Sequence, residues 1–172
     1  MEWLYLFTAA VMGAISLYHL FTHRHRKNQN DMIIYTPQDK KKLSTTSSTY
    51  KASVIAAWAV IILSFVLVIE VFISFTIASA LFFTVLALGA FVLMTLDRIF
   101  QVQGDALIFA GYYAKWGRIQ FLEWGKKRGN RRQLIMTLAK GQRIKTTVDE
   151  KHKAEIEDLL KDYVSFQATK HT

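Results

Sequence analysis

The sequence predicts a membrane α-helical protein of three transmembrane helices, followed by an α+β domain built from an antiparallel sheet of five or six strands and a C-terminal amphipathic helix. Three observations carry this. Trp3 to Thr22 runs for 20 residues without Asp, Glu, Lys or Arg. Ala52 to Leu96 holds a single charge, Glu70, in 45 residues. Beyond Asp97 the chain breaks into short alternating runs separated by glycines. A chain that is 52% hydrophobic yet carries a formal net charge of +9 must segregate the two characters. The segments are 1–22 as first span, 23–51 as basic connector, 52–96 as helical hairpin and 97–172 as C-terminal domain.

The first run matches the ~20 residues needed to cross a hydrocarbon core of ~30 Å. It opens with Glu2 and closes on "LYHLFTHRHRK", the reverse of a cleaved signal peptide with its basic start and small-residue cleavage site, so it reads as a retained span. The second run is about twice one span in length. Its one polar interruption, "EVFISFT", places the turn near Ser74 and Glu70 in the last turn of the second span, beside the headgroups. At depth instead, Glu70 would be an intramembrane ion or proton site, because a charge there is costly and retained for function. Small residues at helical spacing, Ala9 with Gly13 and Ala10 with Ala14 in the first span, Ala78, Ala87, Gly89 and Ala90 in the third, allow close helix approach.

The connector has seven basic residues against two acidic, and the chain from Asp97 onward has 15 against nine. Positive segments stay on the cytoplasmic side, which puts the N-terminus and the hairpin tip outside a plasma membrane. The lack of cysteine removes disulfide and thiolate chemistry, and a short cysteine-free three-span chain points to a bacterium. Pro37 and the Ser/Thr run make the connector irregular, with "MIIYT" from Met32 as a short strand. His19 and His23 share a helix face, yet Arg24 and Arg26 beside them oppose a cation, so no metal is expected.

In the C-terminal domain "RIFQVQ", "ALIFAG", "YYAKWGRIQFLEW", "RQLIMTLA" and "QRIKTTV" read as strands, with "GD", "GN" and "KGQ" as hairpin turns. Leu134, Met136 and Leu138 alternate with Gln133, Ile135 and Thr137, and Ile144, Thr146 and Val148 with Arg143, Lys145 and Thr147, as half-buried strands do. Residues 149–167 then read as a helix with Thr147 and Glu150 at capping-box spacing and a stripe of Ala154, Ile156, Leu159, Leu160, Tyr163 and Val164. Trp116, Ile119 and Phe121 are expected in the core.

The glycine hairpin at Gly104, the "KWGRI" pattern with Trp116 and Ile119, and the terminal helix 149–167 resemble the bacterial pleckstrin-homology-like domains over roughly residues 97–167. With the preceding spans, the chain is similar to small bacterial multi-span membrane proteins of unknown function that carry such a domain. Some proteins of that build resemble self-immunity proteins against leaderless bacteriocins, which implies a protective role as one alternative.

No nucleophile with a base, no carboxylate pair, no metal set and no phosphate loop is legible, and His152 and His171 sit on the helix surface and the terminal fringe; neither an enzyme nor a cofactor is expected. Trp116, Phe121 and Trp124 among basic residues would offer stacking platforms, but no RNA-recognition motif or helix-turn-helix accompanies them, so nucleic acid is not the expected partner. The expected docking residues are Lys126, Lys127, Arg128, Arg131 and Arg132 of "KKRGNRR", five positive charges in seven residues. Each is worth ~1 kcal/mol near an anionic surface. They suit a membrane-anchored adaptor or accessory subunit that binds anionic lipid, a larger membrane protein or another copy of itself. A small channel or transporter subunit is the further alternative and would need Glu70 at depth.

Overall fold

The computed structural model describes residues 2–27, 33–36, 38–39 and 41–167. Met32, Pro37 and His171, singled out above, lie outside them, as does Lys40 of the connector. The chain divides into two compact units, Met1–Asn28 with Thr45–Leu96, and Gln29–Ser44 with Asp97–Thr172.

The first unit consists of α1 (Glu2–Lys27), α2 (Ser48–Glu70) and α3 (Phe75–Arg98), each long and apolar enough to cross a membrane. α2 begins four residues before the expected Ala52 because the Ser/Thr run supplies its cap: the Tyr50 N–H donates to Ser47 Oγ at 3.2 Å. The turn falls at residues 71–74, where the Glu70 carbonyl accepts from the N–H groups of Ile73 at 3.1 Å and Ser74 at 2.9 Å. Glu70 is thus the last residue of α2, half-buried, and its Oε2 makes no hydrogen bond among the described residues.

Tyr5, Ala9, Val60, Leu67, Ala78 and Val85 pack at the centre of this unit. Trp58, Phe65, Phe72, Ile73 and Phe83 face outward, an inversion that water penalises and lipid does not. The histidines join this packing. His19 Nε2 lies 3.1 Å from Ser53 Oγ, and His23 Nδ1 lies 3.0 Å from the Tyr50 hydroxyl.

The second unit holds two four-stranded sheets. In the first, β1 (Ile33–Tyr35), β2 (Phe100–Gln103), β3 (Ala106–Phe109) and β4 (Tyr112–Lys115) lie antiparallel in that order. In the second, β5 (Ile119–Arg128), β6 (Arg131–Leu138), β7 (Arg143–Asp149) and β8 (Phe166–Gln167) take the order β7-β6-β5-β8. α4 (Lys153–Lys161) lies between β7 and β8 in sequence.

The strand total exceeds the expected five or six for three reasons. The connector contributes β1, and Leu43 bridges beside Ile99, donating its N–H to the Arg98 carbonyl at 2.9 Å. The run "YYAKWGRIQFLEW" breaks at a 3-10 turn, Trp116–Arg118, so β4 and β5 belong to different sheets. The helix expected over 149–167 stops at Lys161, and Phe166–Gln167 add a parallel strand on β5. The capping box is not used. Thr147 pairs with Gln133 inside β7, and Asp149 caps the turn that precedes α4 by accepting from the Lys151 N–H at 3.1 Å.

The core joins Phe100, Val102, Leu107 and Phe109 to Leu122, Trp124, Leu134 and Met136, closed by Ile156, Leu160 and Val164 from the α4 region. The alternation holds in β7, where Ile144, Thr146 and Val148 are buried, but not in β6, where Leu134, Ile135, Met136 and Thr137 are all buried in succession; only Leu134 and Met136 of these join the main core, with Leu138 at its margin. Phe121 is a correction. Between Ile119 and Phe121 the register slips by one residue, which reverses the facing of the rest of the strand and turns Leu122 and Trp124 inward in its place. Ile119 stays in the core, and Trp116 packs at its margin.

Candidate anion-docking hairpin

β5 and β6 meet in a two-residue loop, Gly129–Asn130. Gly129 sits at φ +60°, a left-handed conformation that glycine adopts without a Cβ penalty and that suits the twist of a short hairpin. Upstream, a second register shift between Trp124 and Lys127 brings Gly125 against β6, where an added Cβ would lie 2.8 Å from Gln133 Oε1. The loop itself is braced: Asn130 Nδ2 donates to Asp149 Oδ1 at 3.2 Å, and the Asn130 carbonyl accepts from the Glu150 N–H at 3.0 Å.

This register sets cations directly opposite one another, Lys127 across from Arg132 and Arg128 across from Arg131. Like charges so placed repel, at a cost of roughly 0.2–1 kcal/mol per pair. In each pair one member is neutralised. Arg131 donates to Asp39 through Nη1 at 3.2 Å and Nη2 at 2.9 Å, a two-pronged contact, and Nη2 also donates to the Thr147 carbonyl at 2.9 Å. Arg132 pairs with Glu150 at 3.3 Å and donates from Nε to the Gly125 carbonyl at 3.4 Å. Lys126, Lys127 and Arg128 are exposed and form no ion pair among the described residues. The nearest acid in sequence, Glu123, is bound to Arg143 of β7.

The five expected docking residues therefore divide. Three are open cations at the tip; two are already partnered. The acids that divide them are not readable from the sequence, because Asp39 lies 92 residues from Arg131 and nothing local links them.

The Asp39 carboxylate is nearly buried, its side chain 4% exposed. Burial opposes its ionisation, but the Arg131 hydrogen bonds and the Lys41 N–H at 2.9 Å outweigh burial and hold its carboxyl below the usual range. Three residues on, Lys42 is buried as well, and its ammonium donates to Thr146 Oγ1. Burial lowers the Lys42 pKa to about 8, with Arg131 adding to the effect and Asp97 and Asp39 opposing it.

The tryptophans of this region are occupied within the domain. Trp116 stacks on Tyr163 at 4.6 Å between ring centres and donates to the Gly104 carbonyl at 3.0 Å. Trp124 stacks on Phe166 and donates to Glu157 at 3.0 Å, tying β5 to α4.

Residues 100–165, from β2 to just before β8 and including the hairpin, match the family model described as Domain of unknown function (DUF5673). No curated protein and no solved structure matches the chain.

Proposed function

We propose that this chain is a non-enzymatic, membrane-anchored adaptor whose C-terminal domain docks on anionic lipid headgroups through Lys126, Lys127 and Arg128. The observation that carries the reading is the pair of opposed cations at the hairpin, each left with one uncompensated charge. An external anion relieves that repulsion, and these two charges together with the neighbouring Lys126 give up to about 3 kcal/mol at an anionic surface. The positive-inside bias supports an outside N-terminus, with the connector and domain on the inner face of a plasma membrane. β2 begins two residues after α3 ends, so the tether is short. The two sheets and α4 support the resemblance to pleckstrin-homology-like domains.

The test uses the full chain in lipid nanodiscs of phosphatidylcholine with and without phosphatidylglycerol. Phosphatidylglycerol should slow amide hydrogen exchange at residues 127–130, the effect should fade with salt, and a Lys126→Gln, Lys127→Gln, Arg128→Gln triple variant should lose it. Equal exchange in both lipids would remove the reading.

A second reading, docking of the spans on a larger membrane protein, draws on a different feature. Leu6, Ala9, Ala10, Gly13 and Ala14 of α1 and Ile61, Ser64 and Phe65 of α2 line an apolar groove of about 300 Å³. Small residues there admit a close-packed helix. Purification in mild detergent distinguishes the two: a stoichiometric membrane companion favours this reading, and elution with lipid alone favours the first.

A further inference from the structure

We propose that the Asp39–Arg131 pair is an exchangeable latch: the phosphate of an anionic lipid at the hairpin tip takes Arg131 from Asp39 and so frees Asp39 and the backbone of Lys41 and Lys42 in the connector. This rests on the lipid-docking reading above and adds to it a consequence elsewhere in the chain.

The chemistry of the contact is the first argument. Arg131 grips Asp39 with two N–H groups, one to each carboxylate oxygen. A guanidinium fork fits the two free oxygens of a phosphodiester by the same geometry, so carboxylate and lipid phosphate compete for it. Asp39 already occupies the position that an anionic ligand of Arg131 would take.

Position is the second argument. Arg131 follows the Gly129–Asn130 loop directly and faces Arg128 across the ladder. Side chains opposed in this way start about 5 Å apart. A phosphate drawn to the exposed Arg128 therefore arrives within reach of the Arg131 fork, and the remaining repulsion between the two arginines favours an anion that bridges both. Asp39 pairs with Arg131 and forms no ion pair with Arg128 among the described residues.

The third argument concerns what the latch holds. Lys41 donates its N–H to Asp39 Oδ1 at 2.9 Å, and the Lys42 N–H donates to the Asp39 carbonyl at 2.8 Å. Both contacts are made to Asp39 and loosen when it moves, while the Lys42 side chain keeps a separate hold through its ammonium on Thr146 Oγ1. Leu43 does not depend on Asp39, because its N–H and carbonyl are bonded to Arg98 and Phe100. Among the described residues, release is thus confined to Asp39, Lys41 and Lys42. They belong to the segment that joins α1 to α2 in the sequence, so docking at the tip is reported to the link between two spans.

The experiment compares full-length chain in phosphatidylcholine nanodiscs, in nanodiscs containing phosphatidylglycerol, and in phosphatidylcholine nanodiscs with free inorganic phosphate, by amide hydrogen exchange. The latch requires phosphatidylglycerol to speed exchange at Lys41 and Lys42 by about tenfold while slowing it at residues 127–130. Free phosphate should do neither; if it frees Lys41 and Lys42, a soluble anion is the ligand and the lipid form of the proposal is wrong. In Asp39→Asn, Lys41 and Lys42 should exchange fast in every lipid, and the tip should be protected at a lower phosphatidylglycerol fraction than in the parent. Unchanged protection of Phe100–Gln103 certifies that the variant is folded. Tip protection with no change at Lys41 and Lys42 overturns the latch and leaves lipid docking standing; absence of tip protection removes both.

Discussion

Two lysine- and arginine-rich stretches of this chain look alike in sequence and end differently in the fold. "DKKKL" in the connector and "KKRGNRR" in the hairpin are both short, basic and flanked by turn-forming residues. In the first, Lys42 is 8% exposed with its ammonium on Thr146, and Asp39 is bound to Arg131. In the second, Lys126, Lys127 and Arg128 stand in solvent with no ion-pair partner among the described residues. Charge density alone does not tell which cations stay open; long-range pairing decides it.

The largest expected effect lies in the ion pair that joins the two stretches, Asp39 with Arg131. Arg131→Ala leaves a nearly buried carboxylate without its cation and should destabilise the C-terminal unit by about 3 kcal/mol. Arg128→Ala, its cross-strand partner, should change stability by no more than about 0.5 kcal/mol, with relief of repulsion favouring the variant. Hydrogen exchange of the β6 and β7 amides measures both, and equal effects would erase the distinction between compensated and open cations.

Next comes a pH dependence centred on Lys42. Its folded pKa, about 8, is below the unfolded value of 10.5, so the unfolded chain binds more protons between these values. Stability should therefore rise as pH climbs through this window, by on the order of 1 kcal/mol per pH unit, after the full penalty below it. From about pH 10 upward Tyr113 opposes the trend, because burial and its hydrogen bond to Asp105 hold its phenol up at about 12. In Lys42→Met the rise between pH 8 and 10 should vanish, whereas the triple tip variant should keep it.

The smallest effect sharpens the hairpin side. Gly129→Ala meets no neighbour but must hold φ +60°, which costs about 1 kcal/mol. Its stability loss should be local, seen as faster exchange at Arg128 and Arg131 with the core of β6 unchanged.

Much of the architecture was legible because its causes are local. Uninterrupted apolar runs, the polar break at Ser74, the alternation of β7 and the glycine turns each follow from a few adjacent residues. Phe121 was misplaced because a single-residue bulge reverses strand parity without changing composition. The terminal helix was drawn too long because Phe166 and Gln167 find an edge of β5 to pair with, an option that local periodicity does not reveal.

The sequence by itself determined that three helices long and apolar enough to cross a membrane precede a strand-rich domain, and that a basic hairpin tips one pair of strands. Hydrophobic run length and residue period suffice for that. Only the tertiary structure decided that part of the connector belongs to that domain, that Asp39 and Glu150 neutralise Arg131 and Arg132, and that Lys126, Lys127 and Arg128 remain open. Ion pairing follows distance in space, and the chain brings Asp39 to Arg131 by folding alone.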